Sequence, residues 1–261
     1  MQIQLEERAP AFQSYCDETA LEHIQLVERV IQSMHRQLHE PLSLEDMADI
    51  AHLSPSYFNR VFHRRVGVPP GEFLAALRLE GAKRLLLTTS LSVTDICFDL
   101  GYSSLGSFTT RFTQLIGVSP RQLRQLAERY EPEPPAPLSA YTGLSFDGVT
   151  GRVEAPANFA GRIYIGLFRK PIPQGLPVRC TGLSSPGPFQ IVNVPDGIYY
   201  LLSAGLPVHF NDAKSLAAGA LVATGAGPVI VKAGRALRPQ NLTLRRPQLT
   251  DPPVLLGLPY I

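Results

Sequence analysis

The chain has 261 residues, enough for two ordinary domains with a core each. Its 44% hydrophobic content and mean hydropathy of +0.03 are those of a soluble globular protein. Cys16, Cys97 and Cys180 are too few and too scattered for a disulfide framework or a zinc site, and no basic leader or long apolar run is present, so a cytoplasmic protein without membrane span, metal or cofactor is expected.

The formal net charge of +2 decides little, but its distribution is uneven. Residues 52–127 carry nine bases (Arg60, Arg64, Arg65, Arg78, Lys83, Arg84, Arg111, Arg121, Arg124) against four acids, while ten acids precede them. A basic stretch of this kind suits phosphate contact, although charge alone equally describes a solvated helix face.

Residues 1–20 read as a loosely held arm. From Leu21 to Tyr130 the period is helical, with Ile24, Val27, Val30, Ile31, Met34 and Leu38 on one stripe. Glu18 or Thr19 is the expected start of that first helix, and Pro41 follows its end. His35 and His39 stand at i, i+4, but no ligand set completes them, and surface histidines are the preferred reading.

A tandem repeat follows. Leu42-Ser43 and Asp46 recur 49 positions later as Leu91-Ser92 and Asp95. Ser54, Phe58, Phe62, Gly67, Val68 and Pro70 recur 50 positions later as Ser104, Phe108, Phe112, Gly117, Val118 and Pro120. The offset changes by one at the turn, around His52–Ser54 and Gly101–Ser103. Each copy reads as helix, tight turn, helix, the shape that places a second helix in the DNA major groove.

In the first copy Ser43 is an N-cap with Asp46 at the third position, and Met47, Ile50 and Ala51 face the core. Ser54 is expected to cap the next helix, with Pro55 at its first position and Gly67 as its left-handed end. Phe58, Val61 and Phe62 form its buried face. Ser56, Tyr57, Asn59, Arg60, His63 and Arg64 remain outside, types that suit base edges and phosphates. In the second copy Ile96, Cys97 and Leu100 are core, which makes Cys97 a small buried hydrophobe. Ser104 caps, Phe108 and Phe112 anchor, and the outer set is Leu105, Gly106, Ser107, Thr109, Thr110, Arg111 and Thr113, poorer in charge. Between the copies, residues 70–87 read as one helix, a rigid spacer for two reading helices that must lie roughly 34 Å apart on one face of DNA.

The segment 131–145, with Glu131-Pro-Glu-Pro-Pro-Ala-Pro, reads as a semi-rigid linker. Beyond it, short β-type runs lie at 149–153, 162–168, 189–194, 198–203, 220–223, 229–232 and 242–244, with Asp196-Gly197 and Ala226-Gly227 as tight reversals. The expected fold is multidomain α + β: an all-α double helix-turn-helix domain over 21–130, then an antiparallel β-sandwich over 146–261. Asn211 and Asp212 offer oxygen ligands to calcium, with a polar loop preferred. Arg235, Arg238, Arg245 and Arg246 suit an anion or DNA, with a solvated surface preferred. No catalytic constellation is present, so the chain is not read as an enzyme.

Residues 21–127, about 40% of the chain, resemble the DNA-binding domain of the AraC/XylS family of bacterial transcription regulators. The likeness is carried by Ser54-Pro-Ser-Tyr-Phe-Asn-Arg-Val-Phe, Gly67-Val-Pro-Pro, Arg78-Leu-Glu-Gly-Ala-Lys-Arg-Leu-Leu, Gly101-Tyr-Ser-Ser, Phe112 and Gly117-Val-Ser-Pro-Arg-Gln-Leu. It implies DNA contacts at Ser56, Asn59, Arg60 and Arg64 from the first reading helix, and at Leu105, Gly106, Thr109 and Thr110 from the second. Together with Ser54, Tyr57, His63, Ser104 and Arg111, read from residue type, these make the candidate DNA-binding set. The resemblance also implies promoter DNA and RNA polymerase as partners, activation as the sign of control, and a second domain that senses a small-molecule effector or forms a homodimer.

Two departures stand out, one of them Thr113, which stands where a basic residue is common in the family. The family has Phe-x-Arg-x-Phe in both reading helices; here the second reads Phe108-Thr-Thr-Arg-Phe112, with Arg111 one place late. One place on a helix is about 100° of rotation, so the first unit is expected to dominate specificity and the second to touch mainly the backbone. Residues 146–245 resemble a prealbumin-like or carboxypeptidase-regulatory-like sandwich, a kind of module that packs or binds; the likeness is carried by residues 189–204, where Pro195-Asp-Gly-Ile-Tyr199 links two strands. It is expected to sense a ligand or, alternatively, to act as a dimerisation or protein-docking module.

Overall fold

The computed structural model describes residues 9–129, 148–207 and 220–255, with side chains from residue 21 onward. The linker over 131–145 and the loop with Asn211 and Asp212 lie outside the described residues. The chain divides into two compact units, one built on residues up to Ala75 with Leu249–Asp251, the other on Ala76–Gln248 and Pro252–Ile261.

The first unit holds α1 (Ala9–Arg36), α2 (Leu44–Ile50), α3 (Pro55–Val66) and the first turn of α4 (Pro70–Thr88). Helix α1 begins at Ala9, not at Glu18 or Thr19, and so runs through more than half of the stretch read as an arm. Pro10 is tolerated in a first turn, and nothing after it breaks the helix; the apolar stripe starts later and marked only the packed part. Within that stripe Val27, Val30, Ile31 and Met34 are fully buried, and α1 packs on α2 and α3. Phe62 stacks edge-on against both Phe58 and Phe73, with ring centroids 5.6 Å apart in each pair.

Helix α2 opens with a capping box: Asp46 N–H donates to Ser43 Oγ at 3.1 Å, and Ser43 N–H to Asp46 Oδ2 at 2.8 Å. These bonds hold the Asp46 carboxyl below its ordinary range. Its copy α5 (Val93–Asp99) opens the same way on Ser92 and Asp95.

Both turns then use one geometry. His52 N–H donates to Asp49 O and Leu53 N–H to Ala48 O, each at 3.0 Å; Gly101 N–H donates to Phe98 O at 3.0 Å and Tyr102 N–H to Cys97 O at 3.1 Å. The turn residue is left-handed in both, at φ 54° for His52 and 75° for Gly101. The 49-residue offset therefore holds through the turn, and the extra residue of the second copy enters just after it.

The second unit holds the rest of α4, then α5, α6 (Leu105–Ile116) and α7 (Pro120–Glu128). Its helical core comprises Leu79, Ala82, Leu86, Ile96, Cys97, Phe108, Phe112, Ile116 and Leu123. Desolvation raises the Cys97 thiol pKa, as befits a buried hydrophobe. Arg124 donates from Nε to Leu86 O at 3.2 Å and from a terminal nitrogen to Leu91 O at 2.7 Å, tying α7 to the segment between α4 and α5.

The C-terminal portion is sheet-rich and curled. It contains β1 (Val149–Glu154), β2 (Gly161–Phe168), β3 (Arg179–Leu183), β4 (Gly187–Ile191), β5 (Gly197–Pro207), β6 (Leu221–Lys232), β7 (Arg235–Ala236) and β8 (Gln240–Thr243). One sheet has the order β4-β1-β8, the other β3-β2-β5-β6-β7. Bridges Gly148–Arg235 and Val222–Arg245 join the two at their margins. Val149, Val153, Phe189, Ile191 and Leu242 of the small sheet share one core with Ile163, Ile165, Leu167, Tyr199, Leu201, Val229 and Val231 of the large one.

Three sequence expectations change here. The sheets are not wholly antiparallel, because β1 and β8 run parallel. Strands β3 and β7 were not anticipated; β3 is half exposed and contains Gly182, and β7 has two residues, so neither shows an apolar period. Ala226-Gly227 is no reversal: β6 continues through it. The register slips there, Tyr200 facing Pro228 and Leu202 facing Thr224, so Gly225-Ala226-Gly227 bulges opposite Leu201. The true reversal is Ala233-Gly234, at φ 49° and 73°, whose N–H groups both donate to the Asp196 carboxylate, at 3.0 and 2.9 Å. Within Pro195-Asp-Gly-Ile-Tyr199 the buried Tyr199 hydroxyl donates back to Pro195 O at 3.0 Å.

A non-glycine residue held left-handed costs about 1–3 kcal/mol, partly offset by the chain entropy a glycine would lose. His52→Gly should therefore raise stability by about 0.5–1 kcal/mol, and Gly101→Ala should lower it by about 1–2 kcal/mol. Chemical denaturation of the two variants checks both signs.

Candidate nucleic-acid interface

Helix α3 is amphipathic because Phe58, Val61, Phe62 and Val66 recur at three- and four-residue spacings, and all four are buried. The opposite side carries Ser56, Tyr57, Arg60, His63 and Arg64, all exposed, with Asn59 partly so. Six of the sequence-read contact residues thus come together on one helix face. His63, Arg64 and Arg65 crowd the last turn, where positive charge meets the negative end of the helix dipole, before Gly67 closes it at φ 87°.

Two contacts shape that face. The Tyr57 hydroxyl lies 3.3 Å from His23 Nε2 of α1, and the Arg60 guanidinium sits 5.7 Å from the centre of the Tyr57 ring. Tyr57 therefore links the exposed arginine to a neighbouring helix, and the cation–π contact narrows the directions Arg60 samples. His23 was not among the sequence-read residues. It lies off the apolar stripe of α1, and no spacing signal singles it out.

Ser54 departs from expectation. It stands at the N-cap in extended conformation, φ −68° and ψ 147°, but its side chain makes no capping bond. Pro55 already presets the first turn, and the site is exposed, so water can satisfy the open N–H groups. In α6 the equivalent Ser104 does cap: Oγ accepts from Ser107 N–H at 3.1 Å and donates to Ser107 Oγ at 3.1 Å.

Helix α6 buries Phe108, Phe112 and Ile116 and exposes Leu105, Gly106, Ser107, Thr110 and Arg111, with Thr109 partly covered. Thr110 occupies the place of Arg60, and Arg111 that of Val61. In α3 this second place is 93% covered, whereas Arg111 is exposed on the flank of the buried side, near half-buried Tyr102. Burial raises the Tyr102 hydroxyl pKa, and Arg111 and Arg78 pull against that rise. The two outer faces are therefore chemically unequal.

Not all of the nine bases are outward. Arg124 serves backbone carbonyls. Lys83 donates to Val254 O, and burial pushes its amine down to about 8. Arg78 is partly desolvated, which lowers its guanidinium pKa. Arg60, Arg64, Arg65, Arg84, Arg111 and Arg121 remain exposed. Among the described residues no group of three or more His, Cys, Asp or Glu is placed to hold a metal, and no helix is long and apolar enough to cross a membrane.

Two copies of one helix-turn-helix, each pinned by a phenylalanine pair and each presenting a polar second helix, define a tandem helix-turn-helix domain. The family described as "Helix-turn-helix domain" matches residues 47–126. The chain is 32% identical over 99 residues to the HTH-type transcriptional activator AarP of Providencia stuartii, covering 38% of this chain and 73% of that one. It is 37% identical over 91 residues to the uncharacterized HTH-type transcriptional regulator YobQ of Bacillus subtilis, covering 35% of this chain and 38% of that one. An AraC-type transcriptional regulator structure from Chromobacterium violaceum aligns at 27% identity and TM-score 0.39, over 41% of this chain and 96% of that one. The chain belongs to the AraC family of helix-turn-helix transcription regulators. It spans half or less of the length of most of the relatives it matches.

Since only one of the paired serines caps, the two should respond differently to truncation. Ser104→Ala should cost about 1 kcal/mol and Ser54→Ala close to nothing. Denaturant midpoints of the two variants measure the difference, and equal losses would contradict the capping assignment.

Proposed function

We propose that the protein is a sequence-specific DNA-binding transcription regulator that acts as an activator and works with RNA polymerase at promoter sites. The carrying observation is the outer face of α3, where Ser56, Arg60 and Arg64 are exposed and Asn59 partly so, opposite a fully buried phenylalanine pair. Arginine reads the O6 and N7 edge of guanine, asparagine reads adenine, and hydroxyls take phosphate. In this reading Ser54, Ser56, Tyr57 and His63 position the helix on the backbone, and Asn59, Arg60 and Arg64 read bases. On α6, Ser104, Leu105, Gly106, Thr109, Thr110 and Arg111 lie against the second site, where the threonines and the displaced Arg111 give backbone contact and little base discrimination.

The C-terminal portion, in the same reading, is a prealbumin-like or carboxypeptidase-regulatory-like sandwich that senses a small-molecule effector and has no catalytic role. A second reading makes it a homodimerisation or docking module. It is favoured by Ile198 and Ile230, which lie directly opposite each other on β5 and β6 and are 61% and 42% exposed. Sedimentation of the full chain separates the two: a dimer converted to monomer by Ile230→Lys is the outcome expected of the second reading, and a monomer throughout removes it.

The DNA reading is tested by selecting genomic fragments on the full chain and footprinting them at base resolution. Arg60→Ala should cost about 1–3 kcal/mol of specific binding and relax one guanine position, while Arg111→Ala should weaken binding uniformly and lower its salt dependence. Equal guanine protection in both half-sites would contradict the assigned asymmetry.

A further inference from the structure

Helix α6 ends on carbonyls that have no partner within the helix. Gly117 N–H takes Thr113 O, but the donor to Leu115 O comes from far along the chain: Gly175 N–H, at 2.7 Å. Gly175 is left-handed at φ 66°, and a Cβ there would stand 3.4 Å from Gln114 O. The loop between β2 and β3 therefore reaches the C-terminal turn of the second outward-facing helix closely enough to donate to its backbone.

That loop is itself held. Gln174 N–H donates to Ile172 O at 2.9 Å, which tightens it, and Leu255 N–H donates to Pro173 O at 3.0 Å. One residue earlier, Val254 O accepts from Lys83 Nζ of α4. A continuous relay thus runs from α4 through residues 254–255 and the loop 172–175 to α6. Ile172 and Leu255 are fully buried, yet neither belongs to the core shared by the two sheets. Phe168, Leu202 and Ala204 are also buried outside that core; they alternate with the core residues Leu167 and Leu201 and so face the other side of the large sheet. The burial of Ile172 and Leu255 shows that the relay has an apolar component as well as hydrogen bonds.

We propose that the loop 172–175 and the segment 252–255 form an intramolecular dock by which the β-sheet portion holds the C-terminal end of α6 and sets its orientation on DNA. The dock positions α6 and does not block it. Leu105 and Gly106, at the other end of the helix about 15 Å away, stay exposed. Gly175 and Lys83 are thus positioning residues, and the dock is the route by which an event in the β-sheet portion changes the second DNA contact. The inference about DNA rests on α6 being a DNA-facing helix; the dock itself does not.

Hydrogen exchange of the full chain tests the dock without DNA. Gly175→Val places a β-branched side chain at a left-handed position against Gln114 O, and Lys83→Met keeps an apolar stem while deleting the donor to Val254 O. Each should speed exchange over 105–118 by about 2- to 10-fold, the loss expected for one hydrogen bond, and leave 55–66 unchanged. Unchanged exchange over 105–118 in both variants, or a uniform rise that includes 55–66, overturns the dock. On a selected DNA site the same variants should weaken the footprint of one half-site and spare the other. Faster exchange with both half-sites intact overturns the coupling to DNA, whereas failure of the unaltered chain to bind any specific site overturns the DNA reading and leaves the dock to the exchange result.

Discussion

A pair of phenylalanines one helical turn apart fixes which side of each outward helix meets solvent. Phe58 and Phe62 in α3, and Phe108 and Phe112 in α6, are all fully buried. Burying such a ring is worth about 1.5–3 kcal/mol, so rotating either helix to present another face would expose two of them at once. Everything polar on the remaining arc is thereby aimed outward with no further instruction. The capping boxes on α2 and α5 and the left-handed turns at His52 and Gly101 then set where each outward helix begins.

The repeat conserves this frame but not its outer chemistry. Where α3 has Arg60, α6 has Thr110, and the arginine of the second copy has moved to a place that the first copy gives to buried Val61. Other positive charge is turned to structural use: Arg124 bonds to backbone carbonyls, and half-buried Lys83 donates to Val254 O, with desolvation depressing its pKa. A count of bases along the sequence overstates the charge offered to phosphate, because it cannot separate arginines that face water from those that brace a helix. The two copies are architectural equals and chemical unequals, which makes the division of labour between them the natural object of experiment.

Glycines in the sheet-rich portion had two meanings that composition could not separate. Ala226-Gly227 looks like a reversal and is part of a bulge within β6, while Ala233-Gly234, without any strong signal, forms the hairpin because the Asp196 carboxylate accepts both of its N–H groups. That carboxylate lies 37 residues upstream of Ala233, so only the folded chain brings donor and acceptor together. The parallel pairing of β1 with β8 is hidden for the same reason: partners 89 residues apart leave no trace in local periodicity.

The sequence by itself determined the helical half almost completely. The caps other than Ser54, the turns, the buried phenylalanines and the outward set of α3 are legible, because each rests on neighbours within four residues, and the repeat states the pattern twice. It missed the early start of α1, where no apolar stripe marks the helix, and it misjudged Ser54, whose hydroxyl makes no capping bond despite its N-cap place. Only the tertiary structure decided the links made at a distance: His23 on Tyr57, Arg124 on Leu86 and Leu91, the Asp196 hairpin clasp, and the reach of Gly175 to Leu115. Those bonds join groups brought together by packing, and hydrogen bonds between segments remote in sequence depend on the whole fold and not on any local period.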